Sequence, residues 1–160
     1  MLLLFFGPSC SGKSSVAQII SDKTNAKIWT GKNYLRLAKN EREARKIFKG
    51  KLEDASKAYE LTEDSMVYII NDANKVKSHI CRCQHLIKVK FTANLETLKQ
   101  RFAARIKAPA LPPPMVNMLE LQTQKIIKHE CDMEFDTSNF DPGKIAETII
   151  KFVAEEMLED

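Results

Sequence analysis

MLLLFFGPSCSGKSSV, residues 1–16, is the stretch from which the rest of the chain is read. Leu2–Phe6 is apolar at every position, with none of the alternation of a half-exposed strand, and so predicts a strand covered on both faces of a parallel sheet. It runs into Gly7-Pro8-Ser9-Cys10-Ser11-Gly12-Lys13-Ser14, which fits G-x-x-x-x-G-K-[ST]. Beyond it Val16, Ile19 and Ile20 recur at helical spacing and predict a helix over 13–23. Strand, glycine loop and helix in that order make an anion site. The glycines let the backbone curl round a phosphate, and the first amides of the helix point at it.

Pro8 has no N–H, so the donors are expected at positions 10 to 14. The segment Gly7, Pro8, Ser9, Cys10, Ser11, Gly12, Lys13, Ser14 and Ser15 is therefore the expected nucleotide-phosphate site. Lys13 is placed to reach the β- and γ-phosphates of ATP, and the Ser14 hydroxyl to ligate Mg²⁺.

Working outward, strand and helix signals alternate. Ala26–Thr30 predicts a short strand, followed past Gly31 by a helical region at about 33–48 that Gly50 closes. Ser65–Asn71 is rich in β-branched and aromatic residues, and Leu86–Phe91 is a further strand. Leu95, Leu98, Phe102 and Ile106 mark a helix, which APALPPP at 108–114 interrupts as a short lid or hinge. A helix at 115–128, a strand Met133–Thr137 and a last helix bearing Ile145, Ile149, Val153 and Met157 complete the series. Five strands separated by helices predict one three-layer α/β domain, a mainly parallel sheet with helices on both faces. Two segments flank the expected site: an acceptor lid at about 31–60 and the short lid at about 101–115.

Composition narrows the class. A hydrophobic content of 44% with 29% charged residues is that of a globular chain, not of a collagenous, disordered or membrane-spanning one. The apolar start is far shorter than the ~20 residues a membrane helix needs. Four cysteines, at 10, 81, 83 and 131, form no paired framework, so a cytoplasmic setting with reduced thiols is expected. The net charge is +4, yet residues 32–51 alone hold eight Lys or Arg against two Glu. His79, Cys81, Cys83 and His85 alternate, but on an extended strand they span about 20 Å, too far for one tetrahedral ion.

The type of phosphate-loop protein follows from what accompanies the loop. A GTPase needs N-K-x-D, and Asn74-Lys75-Val76-Lys77 lacks the carboxylate. An ATP-driven motor needs Asp-Glu ending an apolar strand, whereas Ile69-Ile70 is followed by Asn71-Asp72. With its G-P-S-x-x-G-K-S opening the chain resembles the small P-loop kinases, the nucleoside monophosphate kinase-like group that includes guanylate, shikimate and gluconate kinases. Strand-helix alternation, an arginine-bearing helix before a short lid and a late Asp136-Thr137-Ser138 turn extend that resemblance. It implies a P-loop kinase fold and ATP- and Mg²⁺-dependent phosphoryl transfer. No S-x-R-x-x-R segment of the guanylate-recognition type is present.

Within that frame Arg101 and Arg105, four apart on one helix face, are expected to neutralise the transferred phosphoryl group, with Lys107 at the lid edge. Asp72, ending a strand, is a candidate Mg²⁺ carboxylate or a helix N-cap. Between Asp22 and Glu41 there is no acid to serve as a base for a hydroxyl acceptor, which favours an acceptor that is already anionic. Lys32 and Arg36 would attract it, while Trp29 and Tyr34 would stack on a base. The expected partners are a nucleotide donor and a small anionic acceptor, with neither membrane nor nucleic acid among them. The alternatives are a regulatory nucleotide-binding module without transfer, and a kinase for a small hydroxyl metabolite.

Overall fold

The computed structural model describes residues 1–72, 74–80, 82–139 and 141–156; Cys81 and Met157, singled out above, lie outside the described residues. The first strand, β1 (Leu2–Phe6), is buried at all five positions. It sits at the centre of a five-stranded sheet of order β2-β3-β1-β4-β5, formed with β2 (Lys27–Thr30), β3 (Met66–Ile70), β4 (Leu86–Thr92) and β5 (Met133–Asp136). Every described pairing is parallel, with Leu2 opposite both Met66 and Leu86.

Successive side chains of a strand point to opposite faces, and β1 feeds two cores accordingly. Leu3 and Phe5 join Val16, Ala17 and Ile20 of α1 (Lys13–Thr24) and Ile145, Ile149 and Val153 of the terminal helix. Leu2, Leu4 and Phe6 join Tyr34, Phe48, Leu52 and Tyr68 on the other face. This two-sided demand explains why β1 and β3 are uninterrupted apolar runs while the edge strand β2 is not. A third, smaller cluster of Ala93, Leu98 and Leu119 ties the lid-side helices to the end of β4.

The helical region read as continuous over 33–48 is divided. A 3-10 turn, Asn33–Leu37, ends at an extended Ala38, and a separate α2 runs Glu41–Ala55. Asn40 caps α2 by accepting the Glu43 N–H at 2.8 Å, an N-cap whose loss typically costs about 1 kcal/mol. Gly50 lies inside α2 rather than closing it, because Phe48 and Leu52 on either side are fully buried and hold the turn. The remaining helices are α3 (Asn74–His79), α4 (Leu95–Arg105), α5 (Pro113–Ile127) and α6 (Pro142–Glu156). α5 therefore begins within the proline run, whose rigid φ suits the first helical turn. The break after α4 is made by Lys107, at φ 56. No described helix is long and apolar enough to cross a membrane.

Candidate functional site

The carboxyl ends of β1, β3 and β4 converge, and the loop between β1 and α1 fills the crevice there. Gly7 is dictated by packing. A Cβ at this position would lie 2.3 Å from the Phe91 carbonyl oxygen and 2.9 Å from Ser11 Oγ, so β4 is able to approach only a glycine. The loop then turns through left-handed conformations at Cys10 (φ 63) and Gly12 (φ 91). Glycine adopts that region freely; for Cys10 it is a strained choice that the surrounding contacts must hold.

A phosphate cradle needs amides turned inward, so its carbonyls turn outward and must find donors of their own. They do so in two halves. Lys13 is buried, and its Nζ donates to Gly7 O at 2.8 Å, Pro8 O at 2.6 Å and Ser11 Oγ at 3.2 Å. Burial lowers its pKa from 10.5 to about 7, an effect the nearby Cys10 partly opposes. The other half is held from outside the loop. Thr137, wholly buried just beyond β5, shares its hydroxyl proton between Ser11 O at 2.9 Å and Thr92 O at 3.1 Å. Arg101 of α4 donates to the Thr137 carbonyl, to Thr137 Oγ1 at 3.1 Å and to Cys10 O at 3.4 Å.

A cavity of about 700 Å³ opens over this loop. Ser9 to Ser15 form its floor, and Thr30 to Asn33 with Asn71 form one wall. Its basic lining is Lys13, Lys32, Arg101 and Arg105, four side chains, with no carboxylate among the described residues that line it. Ser14 and Ser15 are exposed at the floor, so the Ser14 hydroxyl is available to an ion brought by phosphates.

Several expected site residues are brought together here, and others are not. Gly7 and Pro8 are buried beneath the cavity and shape it rather than line it. Arg105 is exposed at the rim, whereas Arg101 is anchored as a brace. Asn71 faces the cavity, its Nδ2 3.3 Å from Ser9 Oγ. Asp72 instead lines a second cavity of about 410 Å³ with Asn71, Asn117, Gln122 and Lys125.

Trp29 and Tyr34, expected to stack on an acceptor base, do not line this cavity. Tyr34 is 2% exposed and stacks on Phe48 at 5.1 Å, and Trp29 packs on the same ring at 5.3 Å. Their apolar bulk is spent in the core between β2, β3 and α2. Arg36 is exposed on the 3-10 turn and lines none of the cavity, so Lys32 alone represents the basic segment there. Of the expected acceptor lid at 31–60, only residues 31–33 line the cavity, because α2 packs along the sheet instead of arching over the loop.

Three residues were missed from sequence: Thr137, Asn71 and Gln122, whose Oε1 accepts the Ser9 N–H at 2.8 Å. Only Thr137 carried a signal, its place in the Asp-Thr-Ser turn.

No family model matches the chain, and no curated protein is similar to it. Solved structures are. A shikimate kinase from Aquifex aeolicus VF5 superposes with a TM-score of 0.58 over 100% of both chains at 17% identity. The YorR protein of Bacillus subtilis, in complex with phosphorylated GDP, gives 0.65 over 98% of each chain at 20% identity. A gluconokinase from Sinorhizobium meliloti 1021 gives 0.62 over 96% of this chain and 91% of that one at 15% identity. The chain has the fold of the P-loop small-molecule kinases. Within that fold the loop at 7–15 stands where the sheet's carboxyl ends open, the general ligand position of open α/β sheets.

Proposed function

We propose that the chain transfers the γ-phosphoryl group of ATP, with Mg²⁺, to a small acceptor that already carries negative charge, a nucleoside monophosphate or a similar metabolite. The observation that carries this reading is the lining of the main cavity: Lys13, Lys32, Arg101 and Arg105, with no carboxylate among the described residues that line it. A hydroxyl acceptor needs a base to take its proton in the transition state, whereas a phosphate acceptor attacks as an anion and needs only positioning and charge neutralisation. The fold and the neighbours named as kinases support phosphoryl transfer. The phosphorylated GDP held by the YorR protein, another neighbour, is consistent with a nucleotide in such a cavity.

In this reading the amides after Cys10 hold the donor phosphates, and Lys13 leaves the Gly7 and Pro8 carbonyls to meet the β- and γ-oxygens. Arg105, at the rim, closes on the phosphoryl group as its charge spreads, a task suited to a planar and permanently charged fork. Arg101 keeps the loop's outer carbonyls satisfied while adding its charge to the same cavity. Lys32, on the opposite wall, draws the acceptor phosphate. Ser14 is the residue in the cavity that fits Mg²⁺; the ion would neutralise charge between the β- and γ-phosphates, most of its ligands coming from phosphate and water. Asp72 stands beyond Asn71, outside this cavity, and has no part in this reading.

A coupled ADP-release assay over a panel of nucleoside monophosphates and polyols tests the proposal. Turnover with at least one monophosphate is expected. Phosphorylation of a polyol with no monophosphate turned over would overturn the acceptor assignment. ATP binding without turnover on any acceptor would make the chain a regulatory nucleotide-binding module.

A further inference from the structure

The excess positive charge of residues 32–51 is not consumed by the cavity, which it meets only at Lys32. Most of it lies along α2. Ala44, Phe48, Leu52 and Ala55 face the core, and Arg42, Arg45, Lys46 and Lys49, with Asn40 and Glu43, line a separate groove of about 520 Å³. The groove and the cavity share no residue.

This arrangement runs against the stability of the helix that carries it. Arg42 with Lys46 and Arg45 with Lys49 are like-charge pairs four apart, which destabilise a helix. The last turn, where the helix dipole favours cations, holds no base. Among the described residues Arg45 pairs with Glu41 at 2.7 Å, and no ion pair engages Arg42, Lys46 or Lys49. A helix selected for packing alone would alternate its charges.

The geometry points to a polyanion, and three features select among polyanions. Arg42 to Lys49 covers about 10.5 Å of helix axis, the span of about three phosphates on one strand of a duplex. No apolar side chain lines the groove, which leaves a bilayer no anchor. Trp29, Tyr34 and Phe48 are stacked together beneath α2, so no ring is presented for unpaired bases to stack on. We propose that this groove docks the phosphate backbone of a nucleic-acid duplex without reading its sequence.

Fluorescence anisotropy with a labelled 20-bp duplex, a single strand of the same length and phosphatidylserine vesicles as competitors tests this directly. It is independent of any kinase activity. Neutralising three phosphates predicts a slope of log K against log salt of about −2.7, hence about 40-fold weaker binding at 200 mM than at 50 mM salt. Arg42→Gln/Lys46→Gln/Lys49→Gln should weaken binding at 50 mM salt at least tenfold and flatten the slope, with a melting temperature that does not fall, since the like-charge pairs are removed. Lys46→Glu, which gives Arg42 an attractive partner in the same helix and keeps α2 folded, should reduce the slope to about −1. The proposal is overturned by any of three results. These are no duplex binding at 50 mM salt, binding that the variants leave intact, and preference for the single strand or the vesicles over the duplex.

Discussion

In the proposed function the state of Lys13 should link nucleotide binding to proton uptake, and the link is measurable. In the empty loop its Nζ is buried against two carbonyls and a hydroxyl, and burial brings its pKa down to about 7. The folded value lies below the unfolded one of 10.5, so the unfolded chain binds more protons between those limits. The stability associated with this group is therefore fully present above pH 10.5 and is lost as pH falls to about 7. A bound triphosphate reverses the preference, since several negative oxygens beside Nζ favour the ammonium. At pH 8, one unit above the folded value, about nine-tenths of the empty protein carries neutral Lys13, and binding ATP should take up about 0.9 proton. ATP itself is fully ionised from pH 8 to 9, so its affinity should weaken by roughly tenfold across that unit. Isothermal titration calorimetry at pH 8 in buffers of different ionisation enthalpy reads the proton count, and repetition at pH 9 reads the affinity. Zero proton uptake together with a flat affinity would refute the assignment of Lys13 to the phosphates. Lys13→Met should abolish the linkage while leaving the fold intact.

Four further outcomes are expected. Gly7→Ala forces a Cβ to within 2.3 Å of the Phe91 carbonyl; it should cost on the order of 3 kcal/mol in urea unfolding and remove ATP binding with it. Tyr34→Ala should lose about 3–5 kcal/mol while Tyr34→Phe retains turnover, and a turnover loss in Tyr34→Phe without a stability change would return the residue to the acceptor site. Thr137→Val removes the hydroxyl that donates to the Ser11 carbonyl and accepts from Arg101, and should cost about 1–3 kcal/mol with weakened ATP affinity. Arg105→Ala, by contrast, should cut kcat about 10³-fold at unchanged stability, and the two profiles are separated by measuring denaturation and ATP affinity on both variants.

How much of this was legible in the sequence depends on how local the deciding interaction is. The loop and the central strand were readable because a contiguous backbone motif and an uninterrupted apolar run carry them. The division of the 33–48 region was not, because its cause is one extended residue, Ala38, and one polar cap, Asn40, inside a run whose basic periodicity continues across them. Trp29 and Tyr34 stand beside the turn in sequence, but proximity does not give direction: Trp29 lies in register with Tyr68 and shares its face of the sheet. The Ser9–Gln122 and Ser11–Thr137 bonds join residues 113 and 126 positions apart, a separation across which neither spacing nor composition carries a signal.

Those distant bonds account for how the loop is ready before its ligand arrives. Inward amides demand outward carbonyls, and the loop's own lysine satisfies only the Gly7 and Pro8 pair. In the proposed reaction phosphate would draw Lys13 away from that pair, leaving Pro8 O only the Ser11 N–H at 3.3 Å among its described donors. The Cys10 and Ser11 carbonyls keep their donors, because Arg101 and Thr137 reach them from α4 and the β5–α6 turn. The left-handed turn at Cys10 is thus fixed from the outer side of the loop, while the inner side exchanges one cation's partners for phosphate. An arginine engaged in that way cannot also swing to follow a phosphoryl group, so in the proposed reaction the mobile charge would fall to Arg105, one helical turn further on and exposed.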